Sequence, residues 1–106
     1  MVTTNYADFA WESAAKLLAI DSPTGFTAKA AQWAKEAFEA LGFAARITEK
    51  GGVLVDLGGE DGNDGLLLAA HADTLGAMVA QIKGDGRLKL SPLGGMSANN
   101  AEAENV

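Results

Sequence analysis

Leu66-Leu67-Leu68-Ala69-Ala70-His71-Ala72-Asp73-Thr74-Leu75-Gly76 is the stretch on which the fold assignment turns. Its first five residues are the longest purely apolar run in the chain, as expected of a short strand buried on both faces of a sheet. The run delivers the only histidine of the sequence to its C-terminal end. Open α/β sheets place their ligands at that end. In extended backbone, residues two apart project to the same side, so His71 and Asp73 are expected to be neighbours. An imidazole beside a carboxylate suits a metal ligand held in orientation by a partner that does not itself touch the metal. The same pair also suits a histidine making an ordinary hydrogen bond at a strand end.

One histidine does not make a metal centre. A catalytic zinc site takes three protein ligands and leaves a position for water. Asp56, Asp61, Asp64 and Asp85 are the nearest further carboxylates, but each sits in or beside a turn signal and reads as a solvated turn residue. The segment Gly58-Gly59-Glu60-Asp61-Gly62-Asn63-Asp64-Gly65 lacks the lysine and hydroxyl residue of a phosphate loop. It also fails as a calcium loop, because Gly65 stands where an oxygen ligand belongs and no glutamate follows at the needed distance. It reads as an acidic strand connection. Ser13, Ser22, Ser91 and Ser97 have no nucleophile-elbow context, which excludes a serine hydrolase built around His71. Trp11 and Trp33 have apolar helical neighbours and are expected in a core or an interface.

Upstream of the decisive stretch, the spacing predicts two helices. From Tyr6 to Ile20, apolar residues fall at Tyr6, Phe9, Ala10, Ala14, Leu17 and Leu18, with Thr3 or Thr4 as N-cap and Asp21-Ser22-Pro23 as the stop. From Ala28 to Leu41, Trp33, Ala34, Ala37, Phe38 and Leu41 face one way and Lys29, Gln32, Lys35, Glu36 and Glu39 the other, with Gly42 as the left-handed terminator. Phe43–Glu49 and Val53–Leu57 flank Lys50-Gly51-Gly52 as a hairpin. Downstream, Ala77–Lys83 and Arg87–Ser91 flank Gly84-Asp85-Gly86 as a second hairpin, with Arg87, Lys89 and Ser91 on a wet face. Pro92-Leu93-Gly94-Gly95 ends the regular pattern. The stretch from Met96 to Val106 is poor in apolar residues and stops without cap or turn, so the chain is expected to be cut from a longer one.

The composition fits one globular domain: 106 residues, 48% hydrophobic and 21% charged, with the charges mixed among apolar residues. A net charge of −6 without any basic run argues against nucleic-acid and acidic-membrane partners. The absence of cysteine suits a reducing compartment. Met1 to Asp8 has neither a basic nor an apolar signal region, and no run approaches the length of a membrane span. A soluble, cytoplasmic protein is expected.

Three segments, in order along nearly the whole chain, resemble the N-terminal part of the metallopeptidase family of tetrahedral, deblocking and glutamyl aminopeptidases. Leu17 to Thr27 is similar to that family's first helix end and its Ser-Pro-(Thr/Ser)-Gly loop. Ala70 to Val79 is similar to its metal-site strand. Gly86 to Gly95 is similar to the hairpin that follows, and Glu104-Asn105-Val106 to the start of the next strand. The His-x-Asp pair alone is shared with other two-metal peptidases, whereas the combination is far more specific.

The resemblance implies an α/β fold, with two N-terminal helices packed on a mixed β-sheet. It divides the chain into residues 1–76, part of a peptidase catalytic domain, and 77–106, the first hairpin of an inserted β-barrel domain through which relatives oligomerise. It makes His71 a metal ligand and Asp73 the residue that holds its ring. Two divalent ions, zinc or cobalt, would serve the whole protein, which would remove N-terminal residues from peptide substrates. The other ligands, a bridging aspartate and a glutamate base lie further along in relatives. The isolated 106 residues are therefore expected to be inactive, to hold metal weakly and to self-associate through residues 77–91. Two other readings share part of the pattern: a two-metal deacylase or carboxypeptidase, and a non-catalytic assembly module that retains half of the fold.

Overall fold

A computed structural model describes residues 5–102. Two helices precede two antiparallel hairpins in an α/β arrangement: α1, Tyr6–Leu18; α2, Ala28–Ala40; β1, Ala44–Ile47; β2, Val53–Asp56; β3, Gly76–Ile82; and β4, Leu88–Leu93. A single 3₁₀ turn follows at Ala98–Asn100. Helix α1 is capped by Asn5 rather than by Thr3 or Thr4, which lie outside the described residues. Asn5 Oδ1 accepts from the amides of Ala7 and Asp8, and Asn5 Nδ2 donates to Asp8 Oδ2 at 2.6 Å. One side chain thus satisfies two of the free N–H groups of the first turn.

Helix α2 ends as its sequence predicts. Gly42 takes φ = 91°, its amide reaches the Glu39 carbonyl at 2.9 Å, and the Phe43 amide reaches Phe38 at 3.1 Å. This is the paired bonding of a Schellman terminus, with glycine free of the Cβ penalty at positive φ. The turn directs the chain into β1, which pairs with β2 from Ala44↔Asp56 to Ile47↔Val53. Helix α2 packs over this hairpin and α1 packs on α2. Ala30 and Ala31 are the buried apolar residues at the centre. Trp11, expected in a core or interface, is 78% exposed on the outer side of α1.

Strand β3 pairs with β4 from Gly76↔Leu93 to Ile82↔Leu88, with a register shift between Val79 and Gln81. Pro92 lies within β4 opposite Ala77, so the regular pattern runs to Leu93 and stops at Gly94 (φ = 68°). The expected mixed sheet is not formed among the described residues, which carry two separate two-stranded sheets. Leu66 to Ala70 is the principal correction: it is not a strand, and Leu66, Leu67 and Leu68 are 87%, 78% and 75% exposed. A strand exists through hydrogen bonds to a neighbour, and no described segment lies alongside these residues. Contact begins only beyond His71, where Pro23 and Thr74 form an isolated parallel bridge.

Candidate metal-ligand site

The bridge between Pro23 and Thr74 builds the site. Beyond the end of α1 at Leu18, the Ser22-Pro23-Thr24 segment lies against Ala72-Asp73-Thr74. The Thr74 amide donates to the Ser22 carbonyl at 2.8 Å. Ser22 Oγ donates to the Ala72 carbonyl at 3.2 Å, and Ser22 is itself only 2% exposed. The Phe26 amide closes a turn onto the Pro23 carbonyl at 2.8 Å. Gly76 leaves room for this approach, because a Cβ there would stand 2.7 Å from Pro23 Cβ.

This backbone clamp brings His71, Asp73 and Thr24 together. Thr24 Oγ1 donates to Asp73 Oδ2 at 2.8 Å. His71 Nδ1 lies 3.0 Å from Asp73 Oδ1 and 3.1 Å from the Asp73 carbonyl oxygen. A carbonyl oxygen can only accept, so Nδ1 carries the proton in this arrangement. That leaves Nε2 as the nitrogen without a protein partner, on a side chain that is 85% exposed. The Thr24 hydroxyl, and after it the hydrogen bond from His71, holds the Asp73 carboxyl below the usual carboxylate range.

Three of the four further carboxylates weighed in the sequence behave as turn residues. Asp56 Oδ1 accepts the Gly58 amide, Asp61 Oδ1 the Asn63 amide and Asp85 Oδ1 the Arg87 amide, each two residues on. Asp85 also pairs with the Arg87 guanidinium at 2.6 Å, and this pairing holds its carboxyl below the usual range. Among the described residues, no group of three or more His, Asp, Glu or Cys side chains could together hold an ion. An imidazole nitrogen is one donor of the three or four that a zinc site takes, and the described residues place no further donors beside His71 and Asp73. An open apolar groove lined by Ile20, Ala31, Trp33 and Ile47 includes neither His71 nor Asp73.

Sequence reasoning singled out His71 and Asp73 but gave no role to Ser22 or Thr24. Their only signal was membership of the Ser-Pro-Thr-Gly segment. The hydrogen bonds that join them to the site span 50 and 49 residues, a separation at which local spacing carries no information.

The chain belongs to the family described as M42 glutamyl aminopeptidase, which it matches over residues 51–106. It is 39% identical over 89 residues to "Putative aminopeptidase YhfE" of Bacillus subtilis (strain 168), covering 84% of this chain and 26% of that protein. It is 32% identical over 80 residues to "Glutamyl aminopeptidase" of Lactococcus lactis subsp. cremoris (strain MG1363), covering 74% of this chain and 22% of that protein. The chain thus spans about a quarter of the length of the curated relatives it matches.

Proposed function

We propose that these residues belong to a metal-dependent aminopeptidase in which His71 Nε2 is a ligand of one of two divalent ions, zinc or cobalt. The observation that carries this reading is the engagement of His71 Nδ1 by Asp73 Oδ1 at 3.0 Å, with the ring otherwise exposed. Histidine ligands commonly donate their second ring N–H to a carboxylate or carbonyl, which fixes the tautomer and raises the basicity of the other nitrogen. Such a pair of ions, when bound, polarises a scissile carbonyl and makes a coordinated water nucleophilic near neutral pH. His71 contributes one neutral donor. Asp73 keeps the ring proton on Nδ1 and its negative charge close to the site. The clamp from Ser22 to Thr24 keeps that geometry from relaxing.

The whole protein, on this reading, removes residues from the free amino end of peptides. Residues 77–91, whose principal contacts are between β3 and β4 themselves, would open an inserted domain that supports homo-oligomers. No helix among the described residues is long and apolar enough to cross a membrane. A cytoplasmic setting is part of the same proposal, since a sequence without cysteine suits a reducing compartment.

The test uses protein expressed from the complete coding sequence, supplied with zinc or cobalt and assayed on peptides with free and acetylated N-termini. Release of the first residue from the free peptide only, abolished by a chelator and lowered at least about a hundredfold by His71→Ala, is expected from loss of a metal ligand. Unchanged activity in His71→Ala would remove the basis of the assignment. Binding without hydrolysis under the same conditions would favour the assembly-module reading.

A further inference from the structure

We propose that Thr24 is a positioning residue for His71: its hydroxyl holds the Asp73 carboxylate so that the other oxygen faces Nδ1, which keeps Nε2 free as the outward donor. The inference rests on the reading of His71 as a metal ligand, but its geometry stands on three bonds. Thr24 Oγ1 donates to Asp73 Oδ2 at 2.8 Å, and Asp73 Oδ1 lies 3.0 Å from His71 Nδ1. The two carboxylate oxygens are thus divided between the hydroxyl and the imidazole. The Thr74 amide to the Ser22 carbonyl at 2.8 Å fixes the backbone that carries both partners.

An exposed carboxylate has several rotamers available, and an imidazole 85% exposed has no packing to orient it. The Asp73 carbonyl, 3.1 Å from Nδ1, would still meet the ring without Thr24, but the carboxylate would no longer be held toward it. Thr24 supplies the missing restraint from a segment anchored by the buried Ser22, which is 2% exposed. A hydroxyl suits this role because it donates to the carboxylate without adding a charge that would compete with a metal ion. The chain's own residues thus form a relay from loop hydroxyl to carboxylate to imidazole.

His71 is the only histidine in these 106 residues, and in the labelled, metal-free complete protein its ring nitrogens are identified in long-range ¹⁵N–¹H spectra as the signals lost in His71→Gln. At a pH of about 8.5 an ordinary imidazole is neutral, and the spectrum reports which nitrogen holds the proton. The wild type is expected to hold it mainly on Nδ1. Thr24→Val, close in shape but without the hydroxyl, is expected to shift the tautomer ratio toward Nε2–H about three- to tenfold, the effect of losing one hydrogen bond. Thr24→Ser is expected to restore the wild-type pattern. Thr24 is exposed, so these changes spare the buried centre; Thr24→Ala supplies a second hydroxyl-free variant, and helical circular dichroism confirms the fold of each. A wild-type ring protonated mainly on Nε2, or a Thr24→Val chain with the wild-type ratio, would overturn the proposal. These outcomes are independent of peptidase activity, so failure of the positioning role and failure of the metal reading are separable.

Discussion

Which nitrogen of an imidazole is free depends on what the other one touches, and at His71 the Asp73 carboxylate and carbonyl both lie on the Nδ1 side. Asp73→Ala is accordingly expected to weaken metal binding by the complete protein about ten- to a hundredfold, the ordinary effect of removing a ligand's supporting carboxylate. Metal-titration calorimetry checks this, and full retention of affinity would show that the ring needs no partner. The second residue-scale prediction concerns Asp85, whose carboxyl is held low by Arg87. A depressed carboxyl contributes stability that is present above its unfolded value, about 3.9, and is lost as pH falls through the lower folded value. Arg87→Ala is expected to raise the Asp85 titration, followed by carboxyl ¹³C shifts, toward the usual carboxylate range, with the amide bond from residue 87 retained. The pair His71 and Asp73 was legible in the sequence because extended backbone puts residues two apart on one side. Thr24 was not, because its partner is 49 residues away and a threonine in a turn has many ordinary uses.

Local elements followed their local rules. Two helices and two hairpins were legible from apolar spacing and from Gly42, Gly51 and Gly86, all of which take positive φ. Cap choice was less so: Asn5, immediately before Tyr6, supplies the acceptor for the first-turn amides. Asn5→Ala is expected to cost about 1 kcal/mol of α1 stability, seen as reduced helical circular dichroism and earlier thermal unfolding. Leu66–Ala70 was misread for a physical reason. A run of apolar residues records what a segment would do beside a neighbour, and no neighbour is present among the described residues. The contact that does form is the Ser22–Thr24 clamp, and Gly76 is its permissive point. Gly76→Ala would drive a methyl to 2.7 Å from Pro23 Cβ. The expected result is loss of hydrogen-exchange protection at the Thr74 amide, which donates to Ser22; retained protection would show that the loop yields elsewhere.

On the scale of the molecule, the described chain is long and thin, with extents of 62 × 33 × 20 Å and a radius of gyration of 18.3 Å. A compact domain of this length has a radius of about 13 Å. The difference leaves apolar surface uncovered, including Leu66, Leu67 and Leu68 and the hairpin residues Met78, Val79, Leu88 and Leu90. Surfaces of this kind recruit partners or other copies, so the 106-residue chain is expected to self-associate as its concentration rises. Light scattering that remains monomeric at high concentration would count against this. The peptidase reading rests finally on where a metal sits. A crystal of the complete protein soaked with zinc and measured at the zinc absorption edge locates the ion directly. The expected result is an anomalous peak about 2.0–2.1 Å from His71 Nε2, with Nδ1 still facing Asp73. Zinc at full occupancy only at positions out of reach of His71, or bound to His71 through Nδ1, would contradict it.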